Sequence, residues 1–93
     1  MSLELSTTLI RIPDAMTAPV DDEIVILNMA GNNYVSLDAI GRRIWDLLES
    51  AQTVGNMCTL LSQEFEATEE QIATDIIPFL AELVTDGLLR VVE

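Results

Sequence analysis

The chain has 93 residues, 49% of them hydrophobic, with sixteen Asp and Glu against four basic residues, no histidine and one cysteine. Such a length and composition suit a single domain able to bury roughly two-thirds of its unfolded surface, and argue against wholesale disorder. A net charge of −12 repels phosphate and so excludes nucleic acid and anionic membranes as partners, while the lack of histidine excludes imidazole catalysis and most zinc sites.

The N-terminal "MSLELSTTLIRIP" has no basic start followed by an apolar run, so it does not read as a signal peptide. No apolar run approaches the ~20 residues that span a bilayer, and the expectation is a soluble, cytoplasmic protein. Pro13 and Pro19 each remove a ladder donor, which predicts an irregular arm over 1–14 and a short first strand near Ala15–Val20. The unbroken run Ile24–Leu27 predicts a strand covered on both faces. Ala30–Asn33 supplies Gly and Asn, which tolerate a left-handed backbone, and "YVSL" returns as the next antiparallel strand. The sheet is thus expected over about 15–37.

Three helices follow. Asp38 is placed to cap a helix over about 38–49, with Ile40, Ile44, Leu47 and Leu48 on one face. Thr53 caps a second over about 53–65, whose stripe is Val54, Met57, Cys58, Leu61 and Phe65. Thr68 and Gln71 form a capping box opening a third over about 68–86, closed by Gly87. The tail "LLRVVE" either adds a last strand or packs down. A small sheet followed by tightly linked, capped helices reads as an α+β, winged-helix-like single domain over 1–93 with three N-terminal antiparallel strands.

Catalytic patterns do not emerge. Cys58 is alone on an apolar stripe, which suits an inert buried thiol. The acidic clusters Asp21–Glu23 and Glu64–Glu70 lack the alternation and turn glycine of a calcium loop and read as solvated faces. Arg42 and Arg43 are too few for a nucleic-acid footprint and pair more naturally with nearby acids. The expectation is a non-enzyme without cofactor or metal.

The third helix carries two neighbouring apolar stripes, Ile72, Ile76, Phe79, Leu83 and Ala73, Ile77, Leu80, Val84. Together they span roughly 160°, where one core-facing surface needs a little over 100°. Both stripes can be core, or part of the surplus can line a groove beside the "NYVSL" strand. At a sheet edge that strand would template another extended chain. Pro78 deletes one helical hydrogen bond and is expected to bend the helix.

These residues resemble the PqqD-like family, small winged-helix domains also called precursor-peptide recognition elements. The resemblance runs from about Val20 to Leu89. It is carried by Tyr34, Leu37, Asp38, Gly41, Ile44, Trp45, Leu47 and Leu48, by Thr53–Val54, and by Asp75, Phe79, Leu80, Leu83, Gly87 and Leu88. It implies binding of the leader segment of a ribosomally made precursor peptide as an added antiparallel strand. Carried to matching positions, the strand partner is Asn33, Tyr34, Val35, Ser36 and Leu37, and the helical wall is Ile72, Asp75, Ile76, Phe79 and Leu83. The pattern is most like the stand-alone leader-binding proteins of lasso-peptide clusters, which deliver the precursor to a separate leader peptidase. Proteins serving pyrroloquinoline quinone assembly resemble one another in a proline–glutamate–glycine turn and an asparagine after the strand leucine. Here "MAGNNY" and Asp38 stand instead. That peptide chaperone role, for a radical enzyme, is the alternative, as is a small dimerisation domain acting as a homodimer.

Overall fold

A computed structural model describes residues 3–13, 15–21, 23–28 and 33–92. The described elements are β1 (Thr8–Arg11), β2 (Met16–Val20), β3 (Glu23–Asn28), β4 (Asn33–Leu37), α1 (Ala39–Leu47), β5 (Gln52–Thr53), α2 (Val54–Glu64), α3 (Glu69–Thr85) and β6 (Leu89–Val92). They form an α+β, winged-helix-like fold with two three-stranded sheets, ordered β2-β3-β4 and β5-β1-β6.

The first sheet is a simple antiparallel meander. Its register pairs Ile26 with Thr17 on one side and Val35 on the other, and Leu27 with Met16 and Tyr34. Because side chains alternate across a strand, Ile24 and Ile26 are buried with Leu37, while Met16, Leu27 and Tyr34 form an exposed row on the opposite face. The expectation that Ile24–Leu27 is covered on both faces is therefore corrected: only one face of β3 meets the core. An antiparallel sheet can leave its second face to solvent, and the hydrophobic run conceals this. Of the expected turn over Ala30–Asn33, the first three residues lie outside the described ones, and Asn33 already belongs to β4.

The second sheet is the larger departure. Thr8–Arg11, expected as an irregular arm, is its central strand, paired with β5 and β6. Leu9 is fully buried there. The tail resolves into β6, the strand option of the two. The strand option for the tail is readable from its own residues, but its pairing with β1 is not, since that joins distant parts of the sequence.

The helices end where their caps dictate. The Asp38 carboxylate accepts from the Gly41 N–H at 2.9 Å, the Thr53 hydroxyl from Asn56, and Thr68 with Gln71 completes a reciprocal capping box. Asp86 caps the end of α3, and Gly87 follows at φ 80°. There the Gly87 N–H donates to the Val84 carbonyl and the Leu88 N–H to that of Leu83, a Schellman closure that needs a left-handed residue. Pro78 sits inside an uninterrupted α3. One core unites both sheets and all three helices around Leu9, Ile26, Leu37, Ile44, Leu48, Met57, Leu61 and Leu80. Trp45 is also buried, with the Arg11 guanidinium 5.5 Å from its ring centroid and donating to its carbonyl at 3.3 Å.

Candidate functional site

The order β2-β3-β4 leaves β4 at an edge of its sheet. Alternate residues of an edge strand direct their N–H and C=O groups outward, with no ladder partner. Beside this edge lies a groove of about 490 Å³, bounded by Ser36 and Leu37 of β4 and, across it, by Asp75, Ile76 and Phe79 of α3. The start of α1 contributes Asp38, Ile40, Gly41 and Ile44, and β3 contributes Glu23. α3 itself packs on α2 and β6, so the space between it and β4 stays open.

Gly41 marks where α1, β4 and α3 converge. A Cβ there would lie 3.0 Å from Leu37 Cβ and 3.3 Å from Phe79 Cζ. The missing side chain lets the Phe79 ring lie close against α1, half-buried beside the groove, where a Cβ would force Leu37 or Phe79 to shift by a few tenths of an ångström.

The ten residues expected at the site divide. Ser36, Leu37, Asp75, Ile76 and Phe79 line the groove together. Asn33 contributes backbone to β4 at its register with Asn28. Val35 is half-buried against the core, and Tyr34 is 71% exposed on the sheet's outer face. Ile72 and Leu83 are buried in the core and do not line the groove. The buried stripe of α3 is Ile72, Ile76, Leu80 and Leu83, so it takes Leu80 from one sequence stripe and leaves Phe79 of the other half-open. The surplus apolar surface is thus partly groove. Sequence reasoning missed Glu23, Asp38, Ile40, Gly41 and Ile44 as lining residues, Asp38 being read only as a helix cap. The two isoleucines carried only a core-stripe signal, and Glu23 reaches the groove through strand pairing alone.

A second depression of about 410 Å³ lies between the sheets, lined by Arg11, Trp45, Asp46, Glu49 and Arg90 among others. Its charges are mixed, and the nearby strand edge, β2, carries Pro19, which has no N–H to offer. Elsewhere Arg43 pairs with Glu64 at 2.7 Å on the surface. Burial, and to a lesser degree the Glu69 carboxylate, pushes the Cys58 thiol up, which disfavours the reactive thiolate. No described helix is long and apolar enough to cross a membrane.

The fold and the groove together define a winged-helix-like α+β domain with one sheet edge held open beside a helix. The chain belongs to the PqqD family: residues 23–89 match the family described as "Coenzyme PQQ synthesis protein D (PqqD)". It is also similar to the solved structure "TbiB1 in Complex with the TbiA(beta) Leader Peptide", at 30% identity and a TM-score of 0.77 over 87% of this chain and 94% of that one. Comparison with curated proteins gives no significant match.

Proposed function

We propose that this chain binds the leader segment of a ribosomally made precursor peptide, without catalysing a reaction on it, and presents it to a separate leader peptidase or other maturation enzyme of the lasso-peptide type. The leader would lie antiparallel to Asn33–Leu37 as an added strand, with its alternate side chains in the groove against Asp75, Ile76 and Phe79. In this mode main-chain hydrogen bonds give affinity and pockets give specificity. The observation that carries the reading is the open β4 edge beside a groove with an apolar floor. The likeness to a protein solved with a leader peptide supports it.

A second reading, a peptide chaperone for a radical enzyme in pyrroloquinoline quinone assembly, is supported by the description of the family. Both share the peptide-binding step and differ in the enzyme that receives the peptide.

The test is a backbone-amide NMR titration with the leader half of a small peptide encoded beside this protein. Saturable shifts over 33–37 and 75–79 are expected, and their absence would overturn strand addition. Adding the chain to the precursor with a neighbouring peptidase should then accelerate cleavage. Acceleration only of a radical enzyme's modification would favour the second reading.

A further inference from the structure

The groove has an apolar floor and an acidic rim. Three carboxylates line it, those of Glu23, Asp38 and Asp75, and no arginine does. The chain's four arginines lie elsewhere: Arg11 and Arg90 line the other depression, Arg43 holds Glu64, and Arg42 is exposed on α1 outside the lining.

The three carboxylates are not equivalent. Asp38 Oδ1 accepts the N–H of Gly41 as a helix cap, and Glu23 Oε2 accepts the Ser36 hydroxyl at 3.3 Å. Asp75 has no hydrogen bond or ion pair among the described residues. It stands where the groove meets a third, more open depression of about 540 Å³ that Glu70 also lines. The Asp75 end of the groove is thus negative, without internal compensation, and walled by Ile76 and Phe79.

An extended guest lying there shields Asp75 from water. A neutral or acidic guest side chain would leave that carboxylate desolvated and unpaired. A lysine or arginine would lay its methylenes along the half-buried Phe79 and place its charged head on the carboxylate. We propose that the groove selects a peptide strand carrying a basic residue at the register facing Asp75, with apolar residues against the half-buried Ile40 and Phe79. The inference rests on the strand-addition reading and adds to it the charge of the guest. The net charge of −12 acts in the same direction at longer range, by steering cationic segments toward the surface.

The test uses the full chain panned against a displayed library of random peptides, with the best binder synthesised as the probe. Selected peptides should share one Lys or Arg at a fixed spacing within an apolar pattern. The Asp75→Asn variant should bind the probe about five- to tenfold more weakly at low ionic strength, as expected for one partly exposed charge-assisted contact. A probe with that basic residue changed to Gln should lose nothing further to Asp75→Asn, the signature of direct coupling. Selected peptides without a basic preference that still shift the amides of 33–37, with Asp75→Asn neutral, would overturn the charge selection and leave strand addition standing. If no peptide shifts those amides, both fall together.

Discussion

Gly41 shows how one absent side chain positions a site. The Cβ of an alanine there would meet Leu37 Cβ, which is fixed to the strand backbone, and the Phe79 ring, which can yield. Alanine would also gain about 1 kcal/mol of helix propensity, opposing an overpacking cost of about 1–3 kcal/mol. Because one of the two close contacts cannot move, Gly41→Ala is expected to lower stability by about 1 kcal/mol net in chemical denaturation. It should also weaken peptide binding by displacing Phe79.

Cys58 offers a separate test of how tightly α2 is packed. Burial raises its pKa in the folded state, so the folded chain holds the thiol proton more firmly than the unfolded chain does. Its contribution to stability is therefore full below the unfolded thiol's pKa, about 8.5, and is lost as pH rises through the folded value. Denaturation midpoints should fall above about pH 8.5 in the native sequence and fall less in Cys58→Ala. Alkylation of the native thiol should be slow and should become fast on unfolding.

Among the elements, β4 carries the decisive prediction. Replacing Val35 by proline removes a backbone donor and distorts the strand. Val35 pairs with Ile26 and is half-buried against the core, so stability should fall too. The discriminating measurement is peptide affinity at a temperature where circular dichroism shows the variant folded. Unchanged affinity there would remove β4 as the docking edge. The elements also show which features the sequence discloses. Caps at Asp38, Thr53 and Thr68 and the stop at Gly87 are local chemistry, so helix boundaries were legible to within a residue or two. β1 was not, because Thr8–Arg11 owes its structure to Leu89–Val92 and Gln52–Thr53, partners that no short window contains. The groove was half legible. The apolar excess of α3 pointed to it, but which residues face it depends on how α3 rotates against α2, and that sent Leu80, Ile72 and Leu83 inward and left Phe79 at the opening.

At the scale of the molecule, the charge of −12 acts on folding and on binding with opposite signs. Self-repulsion destabilises the compact state and is screened by salt, so the melting temperature should rise from low to physiological ionic strength. Affinity for a cationic peptide should fall over the same range, and a neutral peptide should show no such fall. Both effects can be read in one titration series by thermal melts and calorimetry.

The pairing of β1 with β6 has a mechanical consequence. Thr8 lies opposite Val92 and Arg11 opposite Leu89, so the outer ends of the two strands emerge side by side. Tension applied at Thr8 and Val92 loads that seam as a zipper, one hydrogen bond at a time, instead of shearing the whole ladder at once. The seam should part at low force, and since neither β1 nor β6 lines the groove, β4 and its wall sit behind the first point to yield.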